Sequence, residues 1–256
     1  MSAEGVLAGK AAIVTGASQG VGRGIALALA SEGAAVTIMA RTESKLAEVA
    51  VEIEARGGRV ATAAGDVKQT DDIERCVQAC LDAFGRIDVL VNNAQEVPLG
   101  YLLDVGEDAL AAGWESGPLA TFRFMRRCHP HLKATGDAAI VNLGSRVGVR
   151  PDPVRRGAYA AVKEAIRALT RAAAVEWAAD GIRVNAILPY AMSPALERLA
   201  TEDPEAFERS RRSVPLQRIG DPESDIGRAV VFLVGPDASF ITGATIPVDG
   251  GNAFLG

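Results

Sequence analysis

Apolar runs of strand length alternate with longer stretches of helical periodicity along the whole chain, and this alternation constrains the fold more than any other feature. Residues 11–15 form a short apolar run that meets a glycine-rich turn and then a helical pattern over 20–32. The runs 35–39, 59–64, 89–91, 138–143, 182–188 and 244–248 read as further strands. Between them, 42–56, 71–84, two stretches on either side of Gly117, 158–179 and 223–234 read as helices. In the first of these, Leu46, Val49 and Ile53 recur at spacings of three and four, the period of one helix face. Such alternation predicts a parallel sheet with helices on both faces. Right-handed crossovers then make it a doubly wound α/β sheet. Across the 256 residues there is no long linker, repeat or low-complexity segment, so one domain over 1–256 is expected. The most irregular stretch, 189–221, is rich in proline and charge and is a candidate substrate lid.

Composition narrows the function classes. A net charge of −5 argues against a nucleic-acid binder, which carries a basic balance. No apolar run approaches the ~20 residues of a membrane span. Residues 1–10 lack the basic-then-apolar order of a signal peptide, and Cys76, Cys80 and Cys128 make an odd set of thiols. A cytoplasmic protein with reduced cysteines is expected. Cys76 and Cys80 share a helix face without a third and fourth ligand, and His129 and His131 flank Pro130 at a helix end. Buried packing and surface roles account for these residues, and no metal site is expected.

The turn after the first run reads Thr15-Gly16-Ala17-Ser18-Gln19-Gly20-Val21-Gly22. Small residues there let backbone N–H groups approach a pyrophosphate, and the helix opening near Gly20 directs its positive end at it. Gly16, Ser18, Gln19, Gly20, Val21 and Gly22 are therefore candidate cofactor contacts. At the end of the second run stand Ala40 and Arg41, with no acid before Glu43. An arginine here pairs with a 2′-phosphate through its planar fork, whereas a carboxylate would select the free ribose. NADP(H) is favoured on this ground, with NAD(H) the alternative, and Gln19 counts against it because a second basic residue in the turn would strengthen the case. The competing reading of Arg41 is a solvated residue at a helix start.

Ser145 follows the apolar run 138–143, and Tyr159 and Lys163 come fourteen and eighteen residues later. A spacing of four puts Tyr159 and Lys163 on one helix face. A nearby ammonium is expected to lower the phenol pKa, so that Tyr159 exchanges a proton with a carbonyl or alcohol oxygen near neutral pH. Ser145, at the C-terminal edge of the sheet, can hydrogen-bond the same oxygen. Arg146, Arg150, Arg155 and Arg156 lie between the Ser and the Tyr and read as a solvated loop, or as an anion-attracting rim.

With these residues in place the chain resembles the short-chain dehydrogenase/reductase family over nearly its whole length. The resemblance runs through the glycine turn, Gly65-Asp66-Val67, Asn92-Asn93-Ala94, Ser145, Tyr159 with Lys163, Arg183-Val184-Asn185, Pro189 and the terminal Val248-Asp249-Gly250-Gly251. It implies a Rossmann-like sheet of about seven strands and hydride transfer between a nicotinamide and a carbonyl or alcohol, on a small or medium-sized, largely apolar substrate. Asp66 and Val67 are then expected by the adenine, Asn92 beside the cofactor strand, and Asn93, Ala94, Pro189 and Ser193 along the cofactor, with Lys163 also on the nicotinamide ribose. A homotetramer or homodimer through the helix at 158–179 is implied as well.

Three departures from the family pattern stand out. Gly117 fills the slot of an active-site Asn that kinks the helix and holds a relay water; Pro118 keeps a kink, and solvent is expected to enter the space. Gln95 replaces the glycine of Asn-Asn-Ala-Gly, and Tyr190 replaces that of Pro-Gly, with the next hydroxyl at Ser193. Gln95, Val147 and Tyr190 are the candidate pocket residues. The missing Asn also motivates a second reading, a catalytically weak nucleotide-binding scaffold or redox sensor.

Overall fold

The apolar run that opens the chain forms β1 (Ala11–Thr15), buried at every position. In the computed structural model, which describes residues 5–150 and 155–253, it is an interior strand of a seven-stranded sheet, between β2 and β4. The chain continues through α1 (Gly20–Ser31), β2 (Ala35–Ala40), α2 (Glu43–Ala55), β3 (Arg59–Ala64), α3 (Thr70–Phe84) and β4 (Val89–Asn92). It then runs through α4 (Glu107–Trp114), α5 (Ala120–Thr135), β5 (Ala138–Leu143), α6 (Arg146–Val149), α7 (Gly157–Glu176) and β6 (Ile182–Pro189). Two short helices, α8 (Pro194–Glu202) and α9 (Pro204–Arg212), precede α10 (Arg228–Val234) and β7 (Thr245–Val248). All pairings are parallel, in the order β3-β2-β1-β4-β5-β6-β7. The chain winds outward from β1 to β3 and then returns to β4 on the other side of β1. The resulting reversal leaves a crevice outside the carboxyl ends of β1 and β4, where open α/β sheets bind ligands.

Each sheet face is covered by its own apolar cluster. One joins Ile25 and Leu29 of α1, Leu46 and Ile53 of α2 and Leu233 of α10 to the strands. The other joins Ile73 of α3, Phe124 of α5 and Ala173 of α7, and it contains all three cysteines. Burial pushes the Cys80 thiol up to about 11 and raises Cys76 and Cys128 further, so these thiols behave as apolar filling. His129 Nε2 lies 2.9 Å from Asp180 Oδ2 and its ring meets Trp177. Among the described residues no cluster of His, Cys, Asp or Glu fits a metal ion. None of their helices is long and apolar enough to cross a membrane.

The two helices expected around Gly117 are one bent rod. A wide, π-type turn, Glu115–Leu119, joins α4 to α5 and holds Pro118, whose missing N–H leaves the helical ladder open there. The insert after β6 is closed at its base. Met192 N donates to Gly220 O at 2.8 Å, and Gly220 N donates to Tyr190 O at 3.3 Å.

Candidate active site

The turn after β1 is drawn tight against the end of β4. Gly16 and Gly20 take φ of +65° and +54°, the left-handed region that favours glycine. A Cβ on Gly22 would stand 2.3 Å from the Gly16 carbonyl oxygen and 2.4 Å from Asn93 Nδ2, so helix α1 starts where only glycine fits. Asn93 is turned inward: its Nδ2 donates to Thr15 O at 2.8 Å and Gly16 O at 3.1 Å. The N–H groups of Asn93 and Ala94 both donate to Thr15 Oγ1 at 3.0 Å. Val21 is half-buried and packs against the core. Outside the turn, a cavity of about 460 Å³ is lined by Ser18, Gln19, Gly20, Arg23 and Lys45 among others. Sequence reasoning missed Lys45. Its Nζ donates to Gln19 Oε1 at 3.0 Å and supplies the basic group the turn lacks. The signal was its position in the first turn of α2, four residues after Arg41.

Arg41 leaves the end of β2 exposed, and its guanidinium donates to Glu96 Oε1 at 3.0 Å. Asp66 closes a turn after β3, its Oδ1 accepting from Lys68 N at 2.9 Å, and Val67 beside it is 8% exposed. Pro189 ends β6. Ser193 caps α8, its Oγ accepting from Leu196 N at 3.4 Å, and the neighbouring Pro194 ring lies 3.3 Å from where a Gly20 Cβ would stand. The insert thus begins against the glycine turn. Tyr190, by contrast, turns away: its hydroxyl bonds Ser210 of α9, and it lines a separate cavity of about 230 Å³ with Arg218 and Asp249.

Ser145 follows β5, two strands from the glycine turn on the same sheet edge. It caps α6, and its Oγ accepts from Val147 N at 3.5 Å. Val147 is 2% exposed, which makes it a support for Ser145 rather than an open pocket wall. Tyr159 and Lys163 project from α7. Lys163 is buried, its Nζ donates to Leu143 O at 2.6 Å, and it lies 5.7 Å from the centroid of the Tyr159 ring. A buried polar relay ties this helix to the sheet. Asn92 Nδ2 donates to Asn142 Oδ1 at 2.8 Å, and Asn142 Nδ2 donates to Thr170 Oγ1 at 3.0 Å.

The expected lowering of the Tyr159 pKa is reversed. Burial pushes the phenol up to about 12, against the hydrogen bond with Ser145 and the charge of Arg156. Burial likewise pushes the Lys163 ammonium down to about 7. Desolvation opposes the charged form of both groups, and for the phenol it outweighs the contributions of Ser145 and Arg156. The phenol is therefore held protonated.

The space beside Gly117 also departs from expectation, because the Gln95 side chain fills it. A Cβ on Gly117 would stand 2.3 Å from Gln95 Oε1. Gln95 Nε2 donates to Gly113 O at 2.8 Å and Glu96 O at 2.7 Å, while its Oε1 is buried without a hydrogen-bond partner. Ser116 Oγ accepts from Glu96 N at 2.9 Å and donates to Ala112 O at 2.7 Å. The amide of Gln95 thus enters from the neighbouring loop and occupies the space beside Gly117. Gln95 supports the bent helix from within.

A glycine cradle at the switch point and a Ser–Tyr–Lys set on the same edge define a dinucleotide-dependent oxidoreductase. The family model described as enoyl-(acyl carrier protein) reductase matches residues 16–253. The 12α-hydroxysteroid dehydrogenase of Clostridium sp. is 42% identical over 255 residues, covering 96% of this chain and 98% of that protein. Levodione reductase is similar in structure, with a TM-score of 0.89 and 28% identity over 96% of this chain and 98% of that one. An actinorhodin polyketide ketoreductase solved with NADPH gives 0.89 and 30% over 95% and 97%. The chain belongs to the short-chain dehydrogenase/reductase family and is an NAD(P)-dependent oxidoreductase.

Proposed function

We propose that this enzyme uses NADP(H) to interconvert a ketone and a secondary alcohol on a small or medium-sized, largely apolar, alicyclic substrate. The observation that carries the reaction is the buried Lys163 with its Nζ 5.7 Å from the centroid of the Tyr159 ring, on the sheet edge that also carries Ser145. The ring character is argued from the relative named for a hydroxysteroid. NADP(H) is favoured by Ala40 at the end of β2, where a carboxylate would stand in an NAD site, and by the exposed Arg41.

The N–H groups of 16–22 would hold the pyrophosphate, and Asp66 and Val67 would flank the adenine. Asn93, Ala94, Pro189, Ser193 and Lys163 would shape the nicotinamide end. When bound, the nicotinamide supplies or accepts the hydride. Ser145, positioned by the Val147 N–H, donates to the substrate oxygen. Tyr159 gives that oxygen its proton in reduction and takes it back in oxidation. The insert at 189–221 is the proposed lid. A dimer or tetramer would use the outer side of α7, where Val175 is 82% exposed.

Titration of NADPH and NADH against the wild type and Arg41→Ala tests the cofactor assignment. NADPH is expected to bind tighter, and the variant is expected to lose that advantage. Equal wild-type affinities would overturn it. Oxidation of NADPH with a panel of alicyclic ketones, from cyclohexanones to oxosteroids, tests the reaction. No turnover across the panel would overturn the substrate class.

A further inference from the structure

The Glu96 carboxylate gathers two cations on a single oxygen. Its Oε1 lies 3.0 Å from the Arg41 guanidinium and 3.0 Å from the Lys68 ammonium. Lys68 also stands 3.9 Å from Asp66. The three partners come from three strand ends: Arg41 follows β2, Lys68 follows β3 and Glu96 follows β4. In the order β3-β2-β1-β4, a bridge from Glu96 to Arg41 passes over the end of β1, which carries the glycine turn. A dinucleotide laid from that turn to the end of β2 meets this bridge.

The bridge is held from behind. The Glu96 N–H donates to Ser116 Oγ at 2.9 Å, and its carbonyl accepts from Gln95 Nε2 at 2.7 Å. Neither bond uses the carboxylate, so the loop stays anchored when the side chain moves. The Arg41 side chain is 65% exposed, which leaves its fork open to an incoming anion.

We propose that Glu96 is a specificity-determining residue: its carboxylate acts as an internal anion on Arg41 and Lys68, and a ribose 2′-phosphate must displace it to bind. This rests on the reading of Arg41 as the 2′-phosphate partner. A phosphate forms stronger charge-assisted bonds to the guanidinium than one shared carboxylate oxygen, so displacement is favourable. The displaced carboxylate stays nearby and repels the phosphate that replaced it. An unphosphorylated ribose meets no such repulsion. Glu96 therefore narrows the preference that Arg41 creates, from a position remote in sequence.

Calorimetric titration of adenosine 2′,5′-bisphosphate and adenosine 5′-monophosphate tests this without the nicotinamide end. The proteins compared are the wild type, Glu96→Gln and Arg41→Ala, with thermal melts as a check on folding. Glu96→Gln is expected to bind the bisphosphate about tenfold tighter, the scale of one charge-assisted bond. The monophosphate should change by less than about threefold, and the bisphosphate gain should shrink as salt screens these exposed charges. Unchanged bisphosphate affinity in Glu96→Gln, with a loss in Arg41→Ala, overturns the role of Glu96 and leaves the NADP reading standing. Parallel tightening of both nucleotides overturns it too, since the effect is then not specific to the 2′-phosphate. If the wild type does not distinguish the nucleotides, the NADP preference fails, while a selective gain in Glu96→Gln still upholds the competition.

Discussion

Placing one methyl group on Gly117 probes the best-defined close contact of the site. In Gly117→Ala the new Cβ would stand 2.3, 2.9 and 3.0 Å from Gln95 Oε1, Nε2 and Cδ. The tip of a glutamine is flexible, so the cost depends on what holds it. Here Nε2 has two bonds, to the Gly113 and Glu96 carbonyls at 2.8 and 2.7 Å, and Oε1 is enclosed. Swinging the amide away loses about 1 kcal/mol net for each bond. Overpacking adds about 1–3 kcal/mol. The helix preference of Ala over Gly returns about 1 kcal/mol. A net loss of about 2–4 kcal/mol follows, seen as a lower denaturation midpoint of about 2–4 °C per kcal/mol. Gln95→Ala removes the obstacle, so Gln95→Ala with Gly117→Ala should be no less stable than Gln95→Ala alone. Urea denaturation of the four proteins gives the coupling energy. Wild-type stability in Gly117→Ala, or additive effects within about 0.5 kcal/mol, would refute the packing argument.

Three further outcomes are expected. Tyr159→Phe should lose about 10²–10⁴-fold in turnover while retaining NADPH affinity, because it removes the proton donor and leaves the ring; near-wild-type turnover would refute its role. Lys163 titrates near 7 when folded, against about 10.4 in the unfolded chain. Between these values the unfolded state binds more protons, so stability should rise from pH 7 towards pH 10, and Lys163→Met should flatten that rise in pH-dependent melts. The three thiols should resist a disulfide reagent in the native protein and react on unfolding, because burial raises their pKa values and bars access; fast native labelling would contradict this.

Strand–helix alternation and the glycine turn determined the doubly wound sheet and the place of its crevice, because both are local: apolar periodicity selects each element, and glycine alone admits the turn at Gly16 and Gly20. Tyr159 and Lys163 were legible together because four residues make one helical turn. Ser145 was legible because strand ends form the sheet edge. The Asn92–Asn142–Thr170 relay, the entry of Gln95 beside Gly117 and the bridge from Glu96 to Arg41 and Lys68 join residues distant in the chain, so only the packed sheet decided them. Burial decided the protonation as well. The Tyr159–Lys163 spacing promised a lowered phenol pKa, yet desolvation holds the phenol protonated and brings the ammonium down to about 7. Spacing records which groups meet, whereas their charge depends on the water that the tertiary structure excludes.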